Sequence, residues 1–381
     1  MEEKEQKVKQ LLNRRVPDAG IFPSAEDVVR RLAGQEKLTI YLGIDPTGSD
    51  LHLGHVIPLL LLSDLAEMGH DIVLLIGDFT ARIGDPTGKS ATRVALTGEQ
   101  VQHNMATYLE QVYKIIPKDS FRVAYNSEWL SALTMEEVLK LTGLVTVQQM
   151  IQRDMFQERL KDQKPVYLNE FLYPLMQGYD SVALRTDGEI GGNDQTFNML
   201  VGRELEKEIL GKDKFVMATR LLVDAETGKK MSKTEGSLIA LHDSPQVIRE
   251  KVLNHIPDSM IRTVFELCTR VPLEQIDQWQ AEGEQPKNPR EAKEALAAEL
   301  IRMYQGAEAV DRAREATEIT ATGPLDDVLK EAGLVQSLSE AKRLVGQGGV
   351  LVNKVAVDRW DVPIKSGDEI QIGKGKRMKV K

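Results

Sequence analysis

His52 and His55 stand three residues apart at the start of an apolar, helically spaced run, so both imidazoles fall on one side of its first turn. The run begins where a strand-like segment, LTIYLGID, ends in the turn cluster PTGSD, with Ser49 and Asp50 as suitable N-cap types. A helix N-terminus at such a junction attracts phosphate. Two imidazole donors there could stabilise negative charge developing on a departing polyphosphate. Gly54 between them removes a side chain and lets a nucleotide approach the backbone. The same pair could instead be two structural histidines, or half of a metal site for which no third Cys or His lies nearby.

A second polar segment, Gly84-Asp-Pro-Thr-Gly-Lys-Ser90, invites comparison with a P-loop. That motif needs a glycine five places before Gly88, where Ile83 stands, so the phosphate-cradling backbone is not specified. Asp85, Lys89 and Arg93 read either as a plain turn or as part of a site. Tyr173, Gln177 and Asp180 sit at i, i+4 and i+7, one helix face bearing only hydrogen-bonding groups among Phe171, Leu172, Leu175 and Met176. Buried polar groups are costly unless paired, so this stripe predicts either a small polar ligand or an internal hydrogen-bond network. Lys229, Lys230 and Lys233, between Gly228 and Thr234, could close over an anion or could simply be solvated.

These groups need a frame. The β-branched run 38–45 predicts a strand, 52–69 a helix ended by Gly69, and 71–77 a second strand. Together they make a right-handed βαβ crossover with parallel strands. Thr97 with Gln100, and Thr134 with Glu137, open helices as capping boxes. Helical periodicity follows over 146–162, 168–184 and 193–210, and a strand over 215–224. Residues 241–318 read as helices with no clear strand, and 320–327 as a linker. A helix over 338–346 and the alternating runs VLVNKVAV and DEIQIG close the chain. The predicted fold is a doubly wound α/β domain with a parallel sheet over 1–240, a helical domain over 241–319 and a small α+β module over 325–381.

Composition narrows the function classes. The chain has 381 residues, 41% apolar and 28% charged, which excludes disorder throughout and suits two to three domains of roughly 150 residues. One cysteine, Cys268, excludes a disulfide framework and points to a reducing cytoplasm, and six histidines leave little for structural zinc. The longest apolar run, Val56 to Leu62, is far short of the ~18 residues that span a bilayer. The charged N-terminus is not a signal peptide. The net charge is −9, yet from Leu325 onward eleven Lys/Arg outnumber eight Asp/Glu. A basic module on an acidic body suggests anion binding, or simply a soluble tail.

Taken together, these residues resemble the class I aminoacyl-tRNA synthetases, and within them the bacterial tyrosyl-tRNA synthetases. His52-Leu-Gly-His55 is similar to the HIGH signature and Lys230-Met-Ser-Lys-Thr234 to the KMSKS loop, with Leu53 and Thr234 as departures. YPLMQGYD and Gly191-Gly-Asn-Asp-Gln195 add the tyrosine-specific pattern. Ser339-Glu-Ala-Lys-Arg343 followed by Gly349-Val-Leu-Val-Asn353 resembles an S4 RNA-binding domain. The resemblance implies a Rossmann-like catalytic domain, a helical domain of the anticodon-binding type and a C-terminal S4 domain, in a cytoplasmic homodimer.

It also implies a two-step ligase reaction on L-tyrosine, ATP and tRNA(Tyr). His52 and His55 would stabilise the triphosphate, with Thr47 and Gly54 beside them. Lys230 and Lys233 would move in with their loop, and Lys89 and Arg93 would hold pyrophosphate. Gly192 and Asp194 would meet the adenosine, Asp194 at its ribose. Tyr41 and Asp180 would pair the phenol of tyrosine. Tyr173, Gln177 and Asp85 would take its ammonium group, and Gln195 would lie near the carboxylate or adenylate. Lys342, Arg343 and Asn353 would meet tRNA phosphates. Mg²⁺ would arrive with ATP, with no dedicated metal site and no tightly bound cofactor. A HIGH-containing nucleotidyltransferase, a tryptophan-specific relative and a non-enzymatic RNA-binding descendant each fit fewer of these motifs.

Overall fold

The computed structural model describes residues 2–85, 96–224, 238–278, 288–313, 317–319, 322–332, 334–335, 337–373 and 376–380. The chain forms two compact units. One comprises Met1–Ser232, Ala240–His242 and Arg262–Gln278, the other Lys233–Ile239, Asp243–Ile261 and Trp279–Lys381.

The first unit opens with α1 (Glu2–Arg15), whose glutamates in the first turn and arginines in the last suit the helix dipole. A short strand β1 (Ile21–Phe22) and α2 (Ala25–Ala33), capped by Ser24, lead to β2 (Thr39–Ile44), α3 (Leu53–Glu67) and β3 (Asp71–Ile76). Strands β2 and β3 run parallel in unbroken register from Thr39↔Asp71 to Ile44↔Ile76, as a crossover requires. Helix α3 is apolar on nearly every side and is buried from Val56 to Leu65.

The predicted capping boxes open α4 (Gly98–Met105) and, after α5 (Tyr108–Val112), β4 (Arg122–Tyr125) and α6 (Ser127–Leu130), also α7 (Met135–Thr142). The single helix predicted over 146–162 is two, α8 (Val147–Ile151) and α9 (Asp154–Lys161), because Arg153 adopts extended backbone as the N-cap of the second. Then come α10 (Leu168–Leu184), β5 (Gly188–Gly192), α11 (Thr196–Leu210) and β6 (Phe215–Thr219), the last only half the predicted strand.

The sheet order is β1-β6-β5-β2-β3-β4. All neighbours are parallel except β1, which lies antiparallel on β6 and makes the sheet mixed at that edge. The winding reverses between β2 and β5, and ligands of such sheets bind in the crevice beyond the carboxyl ends of the strands there. Further along, α12 (Pro245–His255) belongs to the second unit, while α13 (Ile261–Cys268), all but its first residue, and α14 (Leu273–Asp277) belong to the first. Buried Arg15 ties α1 to this segment. It donates to the carbonyls of Leu267 (3.3 Å) and Thr269 (2.9 Å) and pairs with Asp64 of α3 at 3.1 Å.

In the second unit, α15 (Pro289–Gln305) packs on α12, joined by Arg249 and Glu294, and α16 (Glu308–Arg312) follows. Then β7 (Thr317–Ile319), β8 (Gly323–Pro324), α17 (Leu325–Glu331), α18 (Leu338–Gly346), β9 (Val350–Val352), β10 (Val355–Ala356), β11 (Pro363–Ile364), β12 (Glu369–Ile372) and β13 (Lys376–Val380) complete the chain. They form a five-stranded sheet, β10-β9-β12-β13-β7, and a two-stranded one, β11-β8. Leu325, Leu329, Val345, Val350, Ile370 and Met378 form its core. Strand β7 lies in the stretch predicted to have no clear strand, and β8 in the predicted linker. Runs of two or three residues are too short for a period-two pattern to register.

Candidate active site

The loop from Asp45 to His52, at the carboxyl end of β2, is held from α4 and α5. Asn104 donates to the Pro46 carbonyl (2.9 Å), Tyr108 Oη to that of Gly48 (2.6 Å) and Gln111 Nε2 to that of Ser49 (2.9 Å). Gln111 also accepts from the Leu51 amide at 2.8 Å. Sequence reasoning missed these supports, because an Asn, a Tyr and a Gln on helices carry no signal of what they face. Thr47 is half-buried in this loop.

At the loop's end both histidines cap α3. His52 Nδ1 accepts from the Gly54 amide and His55 Nδ1 from the His52 amide, each at 3.1 Å. Each ring in its neutral form therefore carries its proton on Nε2, and the pair are N–H donors without taking up a second proton. Their centroids are 4.0 Å apart. A Cβ on Gly54 would meet His52 Cε1 at 3.0 Å. A side chain there would press on the imidazole beside it, a constraint additional to the nucleotide access expected from the sequence.

Tyr173, Gln177 and Asp180 do share one face of α10, and a hydrogen-bonded network surrounds them. Tyr173 Oη donates to Asp45 Oδ2 (2.7 Å), and Thr80 Oγ1 donates to Asp45 Oδ1 (2.7 Å). Asn126 Nδ2 lies 3.0 Å from Thr80 Oγ1 and 3.2 Å from Asp180 Oδ2. Trp129 Nε1 donates to Asp180 Oδ1 at 2.8 Å.

On the other side, Gln195 Nε2 donates to Asp85 Oδ2 (2.5 Å). Asn198 Nδ2 donates to Gln195 Oε1 and to Gln177 Oε1 (2.9 Å each), and Gln177 Nε2 to Glu189 Oε1 (3.2 Å). Glu189 pairs with the fully buried Lys214, which also donates to Ser181 Oγ at 2.6 Å. Ser181 Oγ is 2.8 Å from Tyr41 Oη. One continuous run of partners thus reaches from Asp85 to Tyr41.

Burial dominates the electrostatics here. It pushes the Asp180 carboxyl well above the ordinary range, although the bonds from Trp129 and Asn126 favour the ionised form. Burial, with Glu189 and Asp180 close by, also pushes the Tyr41 phenol up, and burial beside Asp45 and Asp85 does the same for Tyr173. Arg153 is buried too, 4.8 Å from the Phe197 ring centroid, and its Nη1 has no hydrogen-bond partner. Desolvation lowers its pKa, opposed by Asp85 and Tyr173. Arg153, Glu189, Asn198, Ser181 and Lys214 were not among the residues singled out from sequence.

The structure therefore brings Tyr41, Asp85, Gln177 and Gln195 into one run of hydrogen bonds, and Tyr173 and Asp180 into a second set centred on Asp45 and Asn126. Asp194 is exposed at the turn after Gly192. Lys89, Arg93, Lys230 and Lys233 lie outside the described residues. Among the described residues, no group of three or more His, Cys, Asp or Glu is placed to hold a metal ion.

In the second unit, Lys342 and Arg343 are exposed on α18, with Lys342 Nζ 5.1 Å from the Trp360 ring centroid and 3.7 Å from Asp326. Asn353 has a positive φ of 51°, and both ends of its amide are taken, by Asp368 and by the Glu369 backbone (2.9 Å each). Its side chain builds a turn.

Comparison with known proteins places this geometry. Residues 33–321 match the profile of the tRNA synthetases class I (W and Y), and residues 323–370 that of the S4 domain. The chain is 40% identical to the tyrosine–tRNA ligase of Carboxydothermus hydrogenoformans, over 93% of this chain and 92% of that one. It is 41% identical to that of Haemophilus influenzae, over 94% and 93%. Among solved structures, a C-terminally truncated mitochondrial tyrosyl-tRNA synthetase from Aspergillus nidulans superposes with a TM-score of 0.66 at 22% identity, covering 87% of this chain and 98% of the other. The tyrosyl-tRNA synthetase of Archaeoglobus fulgidus, complexed with L-tyrosine, gives 0.63 at 20%, covering 80% and 98%. At those identities the likeness is one of fold.

Proposed function

The chain belongs to the class I tRNA synthetases (W and Y), and we propose that it ligates tyrosine to tRNA(Tyr) through the pocket between Tyr41 and Asp85. The reaction has two steps. The carboxylate of tyrosine attacks the α-phosphorus of ATP, forming tyrosyl-adenylate as pyrophosphate leaves. A ribose hydroxyl of the terminal adenosine of tRNA then attacks the tyrosyl carbonyl, and AMP leaves. No covalent enzyme intermediate is needed, because the adenylate is already activated. The work left to the protein is positioning and electrostatic stabilisation.

The observation that carries this reading is the unbroken run of hydrogen-bonding side chains from Asp85 to Tyr41, beside the switch point of the sheet, where ligands of such folds bind. At one end Tyr41 and Asp180 pair the phenol. At the other, Tyr173, Gln177 and Asp85 receive the ammonium group, and Gln195 lies by the carboxylate. His52 and His55 give their Nε2–H donors to the triphosphate next to Thr47 and Gly54, with Lys230, Lys233, Lys89 and Arg93 as the cations of the leaving pyrophosphate. Gly192 and Asp194 face the adenosine ribose. Mg²⁺ enters with ATP.

Lys342 and Arg343 hold tRNA phosphates, and Asn353 keeps the adjacent turn in shape. Such contacts supply salt-dependent affinity more than sequence discrimination. The enzyme works as a homodimer in the cytoplasm, and exposed apolar side chains on α7, α8 and the start of α10 support an interface there. No described helix is long and apolar enough to cross a membrane.

Amino-acid-dependent exchange of labelled pyrophosphate into ATP tests the proposal. Exchange driven by tyrosine and not by tryptophan is expected. Exchange that ignores the amino acid would overturn it.

A further inference from the structure

Lys214 is a charged side chain with no place in the chemistry above, yet it is fully buried. An unpaired ammonium would be costly there, and Lys214 is held by two partners, Glu189 and Ser181. The fold keeps room for it. A Cβ on Gly202 of α11 would come within 2.7 Å of Lys214 Nζ and 2.9 Å of Ser181 Oγ.

What the two partners do next gives the ammonium its meaning. Ser181 Oγ stands 2.8 Å from the Tyr41 phenol, at the end of the pocket assigned to the substrate hydroxyl. Glu189 holds Gln177, at the end assigned to the substrate ammonium group. Tyr41 and Glu189 are themselves register partners on neighbouring strands β2 and β5. Among the described residues, Lys214 is therefore the one cation on the run of bonds between the two ends.

We infer that Lys214 is a positioning residue for amino-acid selection, setting the direction of the hydrogen bonds that read the phenol and the ammonium group of tyrosine. This rests on the pocket assignment of the preceding section. An ammonium can only donate, so Ser181 Oγ accepts from it. Having accepted, Ser181 is the better donor and turns its hydrogen to the Tyr41 oxygen. The Tyr41 hydrogen, with the Glu189 carboxylate as its other acceptor, then turns to the ligand, where only a ligand with a hydroxyl can accept it. At the other end, Lys214 fixes Glu189 as acceptor for the Gln177 NH₂ group. The Gln177 oxygen is thereby turned to Asn198, with its second lone pair left for a ligand ammonium.

The test is pyrophosphate exchange with tyrosine and phenylalanine on purified full-length variants. Lys214→Met alone strands the Glu189 carboxylate and risks misfolding, so the Lys214→Met/Glu189→Gln double variant and Ser181→Ala are measured with it. For the double variant and Ser181→Ala, the ratio of kcat/KM for tyrosine over phenylalanine should fall about tenfold, as expected for one hydrogen bond to a charged or polarised group. KM for tyrosine should rise in the double variant while KM for ATP stays unchanged. A general structural defect would lower both amino acids equally and would spread to ATP.

Asp180→Ala is the control for the pocket. If it narrows the ratio and the other two variants do not, Lys214 is merely structural and the inference falls alone. If Asp180→Ala leaves tyrosine and phenylalanine exchange untouched, the pocket assignment fails and takes the inference with it.

Discussion

Tyr173, on the long helix α10, donates a 2.7 Å hydrogen bond to Asp45, the residue that follows the strand carrying Tyr41. Asp45 also accepts from Thr80, so a helix, a strand end and the turn after β3 meet at one carboxylate. Tyr173→Phe would take one hydrogen bond from this half-buried acceptor and remove a hydroxyl from the proposed ammonium end of the pocket. KM for tyrosine in pyrophosphate exchange should rise roughly tenfold, with KM for ATP unchanged. Equal changes in both would point to a folding defect and away from a binding role.

Asp180 already accepts from Trp129 and Asn126, and the substrate phenol would be a further partner. A site built to pair a hydroxyl leaves its own buried groups unsatisfied when phenylalanine enters, which would give the proposed pocket its preference for tyrosine. Asp180→Ala should therefore weaken tyrosine activation and narrow its advantage over phenylalanine. Exchange kinetics with both amino acids, compared as kcat/KM, decide the point. Unchanged values for both would refute the role.

Much of this architecture could be read from residue order, for reasons that also explain the gaps. The crossover from β2 to β3 and the helix α10 are long, regular and apolar on the faces they bury, so periodicity alone places them. The stripe Tyr173, Gln177 and Asp180 was legible because the helical period puts them together. Their partners were not. Thr80 follows β3, and Asn126 and Trp129 come from the start of α6, segments joined to α10 only by the fold. Lys214, in the run KDK ahead of β6, looks like any solvated lysine, and only pairing with Glu189 across the sheet makes it an interior residue. Arg153 hid in the same way, inside a helical pattern that its own extended backbone interrupts.

Glu206 on α11 is buried with neither carboxylate oxygen hydrogen-bonded, and burial raises its pKa from 4.5 to about 7, against the pull of Lys214 and Lys212. Between those two values the unfolded chain has released a proton that the native chain keeps. Stability from this group is therefore full below pH 4.5, falls as pH rises toward 7 and is lost above it. Glu206→Gln should be little different from the parent at pH 4.5 and more stable by roughly 3 kcal/mol at pH 8. Urea denaturation at the two pH values checks this, and an identical difference at both would exclude titration of Glu206 as the cause.

Leu168 is 82% exposed, Met135 74%, Leu139 62% and Val147 60%, an unusual concentration of apolar surface on α7, α8 and the start of α10. All four lie in the first unit, which also holds the proposed tyrosine pocket. If this face joins two copies, Met135→Glu with Leu139→Glu places like charges in the interface and should shift sedimentation velocity from dimer to monomer at micromolar concentration. Retention of the dimer would move the interface elsewhere.

Removing 325–381 would be a blunt test of RNA binding, because β13 pairs in parallel with the edge strand β7 at Thr317–Ile319 and its loss leaves that strand with no partner in the sheet. Charge reversal on the surface avoids the difficulty. Lys342 and Arg343 are exposed on α18, and their nearest fixed partners, Trp360 and Asp326, touch Lys342 only at 5.1 Å and 3.7 Å. Lys342→Glu with Arg343→Glu should leave tyrosine-dependent pyrophosphate exchange intact while raising KM for tRNA in the charging reaction. Each lost phosphate contact should also flatten the dependence of log affinity on log salt by roughly 0.7 to 0.9. A raised KM with an unchanged salt slope would mean that these side chains shape the module and do not themselves meet phosphate.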